Sequence, residues 1–69
     1  MEISARNVIK GTVKKVVMGM VTAEITLEVS PGIQMTGVIS KASAERLGLS
    51  EGKEAHAIIK SSDVMFAVE

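Results

Sequence analysis

Val21-Thr22-Ala23-Glu24-Ile25-Thr26-Leu27-Glu28-Val29 is a stretch in which apolar and polar residues alternate without a break. Successive side chains of an extended strand point to opposite faces, so this segment has one apolar and one hydrophilic face. A strand of this kind suits an antiparallel sheet that packs on one side and meets water on the other. The stretch therefore predicts a mainly β protein.

One further strand is predicted before this stretch and one after it. Upstream, residues 7–18 form a long run with Gly11 inside it, where we expect a bend or a bulge, and Gly19 supplies the turn. Downstream, Ser30-Pro31-Gly32 is typical of a turn, because proline sets φ at one central position and glycine accepts a positive φ at the next. A third strand is predicted at Ile33–Ile39.

One short helix interrupts the strands. Ser40 offers an N-cap, Lys41–Leu47 has the length of about two helical turns, and Gly48 stands where a left-handed C-terminal cap is common. The apolar segments that follow predict a fourth strand at Lys53–Ile59 and a fifth at Val64–Val68. Five strands with a helix between the third and the fourth predict an OB-like five-stranded barrel.

Length and composition predict an assembly of small subunits. The 69 residues make one domain, spanning residues 1–69, and 46% of them are hydrophobic. There is no cysteine and only one histidine, His56, so we expect no disulfide and no thiolate or zinc site. We also expect no cofactor. Much aliphatic surface without a crosslink predicts oligomerisation, which supplies the burial that so short a chain lacks.

Charge and hydropathy argue against several partners. Eight basic residues balance eight acidic ones, and Phe66 is the single aromatic residue. We expect no nucleic-acid partner, because such modules usually carry a basic excess and single-strand binders need stacking aromatics. The longest apolar runs, Val16–Met18 and Val64–Val68, are too short to cross a bilayer. With no signal-peptide pattern at the N-terminus, we expect a cytoplasmic protein without a membrane partner.

Two polar segments at opposite ends of the chain offer the chemistry of an oxyanion site. Ser4-Ala5-Arg6-Asn7 offers a hydroxyl, a guanidinium, an amide and backbone N–H groups, and Lys60-Ser61-Ser62-Asp63 offers an ammonium and two hydroxyls. An oxyanion that has only acceptor oxygens needs such donors. Each segment also has a plainer interpretation, the first as a frayed terminus and the second as a surface turn, because short motifs often mislead.

A third segment, Ser40-Lys41-Ala42-Ser43, opens the predicted helix. The first N–H groups of a helix lack internal partners and favour an anion, and the serine hydroxyls add donors. The positive end of the helix dipole lies at this first turn and disfavours the positive charge of Lys41. A bound dianion beside Lys41 would compensate for this repulsion. The plainer alternative is a capping motif, in which Ser40 accepts a hydrogen bond from the N–H of Ser43. No nucleophile–base pair can be drawn from the sequence, so we do not expect an enzyme.

Three separated motifs together resemble the Mop-domain family, in particular its small stand-alone members, the molbindins. The motifs are Ser4–Asn7 with Gly11-Thr12-Val13, Ser43–Leu49 with Glu51-Gly52-Lys53, and Lys60–Met65. The resemblance covers essentially the whole chain. It implies a homohexamer, a trimer of dimers with strand exchange, which binds molybdate or tungstate in the cytoplasm without direct metal coordination. The implied role is intracellular molybdenum storage and homeostasis. The alternative is a subunit-interaction module that docks on a molybdoenzyme or a molybdate transporter.

The same resemblance implies which residues bind the oxyanion. The set expected to bind molybdate comprises Ser4, Ala5, Arg6, Lys60 and Ser61 of one subunit and Ser40 and Ser43 of a neighbour. A second set, expected nearby or where subunits converge on a symmetry axis, comprises Asn7, Lys41, Ser62, Gly19 and Met20. A pterin is not expected as the ligand, because the chain has no aromatic platform for it.

Overall fold

Four antiparallel strands and one helix make up the protein in a computed structural model, which describes residues 1–69. The elements in chain order are β1 (Asn7–Met18), β2 (Thr22–Ser30), β3 (Ile33–Ser40), α1 (Lys41–Leu47) and β4 (Glu54–Ile59). The strands lie in the order β3-β2-β1-β4. Because β3 and β4 do not pair with each other, the curled sheet is an open half-barrel with two free edges. No helix in it has the length and apolar character needed to span a membrane.

The predicted fifth strand is not present in the single chain. Val64–Val68 follows a 3₁₀ turn at Ser61–Asp63 and pairs with no strand. The side chains of Met65, Phe66 and Val68 are 92%, 93% and 98% exposed. A strand needs a partner for its backbone N–H and C=O groups, and neither free edge of the same sheet receives this segment. The prediction of a five-stranded barrel within one chain is therefore wrong. We call residues 64–68 the apolar tail.

The bulge in β1 lies at Lys14 and not at Gly11. The register of β1 against β2 shifts between Val13 and Lys15, which leaves Lys14 as the extra residue. Gly11 has a different role, because a Cβ atom there would lie 2.7 Å from the Glu28 carbonyl oxygen. The missing side chain lets the two strands approach closely. The bulge adds local twist, which suits a curled sheet.

The core is small and centres on β2. Ala23, Ile25 and Leu27, on one face of the alternating stretch, are buried, as that alternation predicts. Val13 from β1 and Ala44 from α1 complete the buried apolar cluster. Only seven of the 69 residues are buried, so the core of one chain is incomplete.

An open apolar cavity continues the core toward the free edges of the sheet. Its volume is about 530 Å³. The residues that line it include Met35, Ile39, Leu49, Ala55, Ala57 and Ile59. We call this cavity the apolar trough. Burial of apolar surface is the main stabilising contribution in folding, so an unfilled trough leaves much of that contribution unused in the single chain.

Helix α1 is fixed by caps at both ends. Ser40 Oγ accepts a hydrogen bond from the Ser43 N–H at 3.0 Å, and Gly48 adopts the left-handed conformation with φ of 63°. Lys53 Nζ donates to the carbonyl oxygens of Leu47 at 2.8 Å and Gly48 at 3.3 Å. A helix of seven residues is not stable alone. These caps and its packing on the sheet therefore hold it in place.

Candidate oxyanion-binding site

The pairing of β1 with β4 brings the two polar ends of the chain together. Asn7 lies opposite Ile59 in the sheet, although the two residues are 52 positions apart. Asn7 Nδ2 also donates a hydrogen bond of 3.2 Å to the Ile59 carbonyl oxygen. Ser4–Arg6 directly precedes this pair, and Lys60–Asp63 directly follows it. The first two polar segments predicted to form the site, Ser4–Asn7 and Lys60–Asp63, are therefore neighbours within one chain.

A surface cleft lies between these two segments, and we call it the polar cleft. It is lined by Ile3, Ser4, Ala5, Ile58, Lys60, Ser61, Ser62 and Asp63. Ser4, Ala5, Lys60 and Ser61 of the predicted binding set thus share one cleft, together with Ser62 from the second set. Asp63 belongs to the second polar segment but was not among the residues expected to bind, and neither were Ile3 and Ile58. Anion binding by itself gives no reason to expect apolar side chains or a carboxylate. The fold of the chain places these three residues at the cleft.

The cationic side chains at the cleft form no ion pair within the chain. Lys60 lines the cleft and forms no ion pair, because the two ion pairs of the protein join Lys10 to Glu54 and Lys14 to Glu28. Arg6 does not line the cleft, but it follows Ala5 directly, is exposed and also forms no ion pair. A guanidinium can grip an oxyanion with two parallel N–H···O bonds.

Backbone donors at the cleft are also free. The 3₁₀ turn uses the N–H groups of Asp63 and Val64, which donate to the carbonyls of Lys60 and Ser61. No hydrogen bond within the chain uses the N–H groups of Ser61, Ser62 or Ala5. Ser61 and Ser62 are exposed and Ala5 is half-buried. These free N–H groups are available to a ligand with acceptor oxygens.

The third predicted fragment lies elsewhere in the same chain. Ser40 ends β3, and β3 and β4 are opposite edges of the sheet. Neither Ser40, Lys41 nor Ser43 lines the polar cleft. The capping interpretation of Ser40 is confirmed, and its hydroxyl also donates to Ser43 Oγ at 2.8 Å. One chain alone therefore does not unite all three fragments.

The remaining members of the second set have different positions. The amide of Asn7 is engaged with the Ile59 carbonyl, so it holds the walls of the cleft together and does not face it as a free donor. Gly19 and Met20 lie in the turn after β1, at the end of that strand opposite to Asn7. Met20 is 94% exposed.

Comparison with known proteins identifies the family. A model of the TOBE domain matches residues 3–66, which is nearly the whole chain. The chain belongs to the TOBE-domain family. This TOBE-domain protein is 54% identical over 65 residues to molybdenum-pterin-binding protein 3 of Clostridium pasteurianum, which covers 94% of this chain and 96% of the relative. The resemblance to Mop domains and molbindins is thereby confirmed.

Solved structures agree with this assignment. MopII from Clostridium pasteurianum superposes on this TOBE-domain protein with a TM-score of 0.91 and 48% identity, covering 97% of this chain and all of MopII. ModG, a cytoplasmic molybdate-binding protein solved with molybdate bound, gives a TM-score of 0.89 and 42% identity. That match covers 94% of this chain and 46% of ModG. The mainly β fold is therefore confirmed, and these relatives are binding proteins rather than enzymes.

Proposed function

We propose that this protein binds molybdate, and tungstate as well, for the storage and homeostasis of molybdenum in the cytoplasm. The polar cleft is the observation that carries the proposal, because both chain ends meet there with unused N–H, O–H and cationic donors. The molybdate bound to ModG and the names of the other relatives support the choice of ligand.

The chemistry of the cleft suits a fully ionised tetrahedral oxyanion. Such an ion has only acceptor oxygens, and hydrogen bonds to a charged acceptor are about twice as strong as those between neutral groups. The oxygens already surround the metal, so the protein holds it without a direct metal ligand. Several relatives are named for a molybdenum-pterin. The one aromatic residue here, Phe66, lies outside the cleft, so we propose the bare oxyanion as the ligand.

The site is proposed to be completed by a second subunit. A single chain has two free sheet edges, an unfilled apolar trough and an exposed apolar tail. Exchange of the tail between subunits would give it a strand partner and bury its apolar side chains. In a homohexamer built as a trimer of dimers, Ser40 and Ser43 of one subunit would then face the polar cleft of another.

Titration calorimetry with molybdate tests the site. Arg6→Ala and Lys60→Ala should each weaken binding by at least tenfold, since a hydrogen bond to a charged group contributes about 1.5–3 kcal/mol. Lys15→Ala is the matched control, because Lys15 is exposed, forms no ion pair and lies away from the cleft. Unchanged affinity in both site variants would reject the assignment.

Native mass spectrometry with and without molybdate tests the assembly. The expected result is a hexamer that carries several oxyanions. Removal of residues 64–69 should shift the mass toward smaller species and reduce the number of bound ions. The alternative function, docking on a molybdoenzyme or a molybdate transporter, instead predicts that immobilised protein retains such a partner regardless of Arg6.

A further inference from the structure

We infer that Asp63 limits the affinity of the polar cleft for dianions and so keeps the bound oxyanion easy to release. This inference rests on the proposed function. It assigns a role to a residue that lines the cleft but has the wrong charge to bind the ligand.

The position of Asp63 is set by the backbone. Its N–H donates to the Lys60 carbonyl at 2.8 Å, which closes the 3₁₀ turn and holds Asp63 beside the residues that offer donors. Asp63 lines the same cleft as Lys60, Ser61 and Ser62. It forms no ion pair with any cation of the chain. No cation of the chain therefore lies at contact distance from this carboxylate.

The two charged residues that line the cleft have opposite charges and form no ion pair with each other. Lys60 contributes one positive charge and Asp63 one negative charge, and Arg6 beside the cleft supplies the excess positive charge. Charges within about 10 Å of each other still interact at an ionic strength of 0.1 M. A ligand in the cleft is therefore attracted by the two cations and repelled by Asp63.

The repulsion depends on the charge of the ligand and not on its shape. A dianion is repelled twice as strongly as a monoanion at the same place, because the Coulomb energy is proportional to the charge. The hydrogen-bond donors select the tetrahedral shape, while Asp63 lowers the affinity for every dianion. A storage protein must release the oxyanion that it binds. A fixed repulsive charge speeds this release while every hydrogen-bond donor of the cleft is kept.

The decisive variant is Asp63→Asn, which removes the charge and keeps the size. At low ionic strength, molybdate should bind roughly tenfold more tightly to this variant than to the wild-type protein. Perrhenate, a tetrahedral monoanion of similar size, should gain only about threefold, since half the charge gives half the repulsive energy. Both gains should shrink in 0.5 M NaCl. Asp63→Ala, which removes the charge without adding a hydrogen-bond donor, should give the same result.

The matched control is Glu51→Gln. This substitution changes the net charge by the same amount. Glu51 forms no ion pair and lies in the loop before Glu54, at the end of β4 opposite to the cleft. The affinity of this variant for molybdate should equal that of the wild-type protein.

The outcomes separate this inference from the proposed function. If the wild-type protein binds no molybdate, the proposed function fails. If it binds but Asp63→Asn binds equally or more weakly, the role of Asp63 is overturned and the function stands. Asp63→Asn could instead raise the affinity for molybdate and perrhenate equally, or raise it as much in 0.5 M NaCl. Either result would show that the substitution acts through a change in structure and not through charge, and would also overturn the role of Asp63. If perrhenate binds too weakly to measure, the salt series decides.

Discussion

Asn7 and Ile59 face each other across β1 and β4, and the Asn7 amide donates a hydrogen bond of 3.2 Å to the Ile59 carbonyl. This contact lies where the two chain ends leave the sheet. The residues that line the polar cleft flank it on both sides. This pair is therefore the last one of the β1–β4 ladder before the cleft, and its hydrogen bond helps to hold the two walls together.

Asn7→Ala should loosen the cleft without removing a ligand donor. The free energy of unfolding should fall by about 0.5–1.5 kcal/mol, the usual net contribution of one hydrogen bond, and molybdate should bind more weakly. Urea denaturation and calorimetry measure the two effects. Gln34→Ala, an exposed strand substitution with no side-chain hydrogen bond to lose, is the control. Equal results for both variants would speak against a role for Asn7.

Gly11→Ala should destabilise the protein by about 1–3 kcal/mol, the cost of overpacking a site that has no room. The new Cβ would meet the Glu28 carbonyl oxygen at 2.7 Å, which forces backbone to move. Gly37→Ala is the matched control, because no atom lies within 4 Å of a Cβ placed there. That variant should keep its stability or gain slightly. Thermal unfolding of the pair tests the contrast, and equal losses would contradict it.

Lys53→Met should destabilise the C-terminal end of α1. The ammonium donates to the last carbonyls of the helix, where the dipole favours a cation, and both contacts are exposed. We expect a loss of about 0.5–1 kcal/mol in denaturant unfolding. Lys15→Met removes an exposed lysine without such contacts and should change little. If Lys15→Met lowered the free energy of unfolding as much as Lys53→Met does, the contacts of Lys53 with the carbonyls would contribute nothing.

Substitutions at Ser40 should separate its two proposed roles. Ser40→Ala removes the N-cap and should cost about 1 kcal/mol of stability. Ser40→Asp keeps an N-cap acceptor and the stability, but it places a negative charge where the oxyanion of a neighbouring subunit is proposed to lie. Molybdate should therefore bind much more weakly to the stable Asp variant. Wild-type affinity in that variant would remove Ser40 from the proposed site.

Features with a local physical cause were predictable from the sequence. The alternation along β2 depends only on the two-residue period of a strand, and it correctly placed Ile25 and Leu27 in the core. The N-cap at Ser40 and the left-handed Gly48 are likewise properties of a few adjacent residues. The two polar end segments were recognisable because their donor chemistry does not depend on the fold.

Features set by distant contacts were not predictable. The residues of the apolar tail have the pattern of a strand, yet a strand also needs a partner, and none is available within the chain. The bulge at Lys14 is set by how β1 meets β2, and no local residue marks it. Ile3 and Asp63 enter the cleft only because the β1–β4 register and the 3₁₀ turn place them there.

The small core has a consequence for the life of the protein in a cell. With seven buried residues and a tail of apolar side chains in water, a chain that has not met its partners resembles the partly unfolded species that proteases and chaperones recognise. If the chains assemble as proposed above, we expect unassembled chains to be degraded quickly and assembled ones to persist. Synthesis above a threshold concentration would then create long-lived binding capacity, whereas slower synthesis would create almost none.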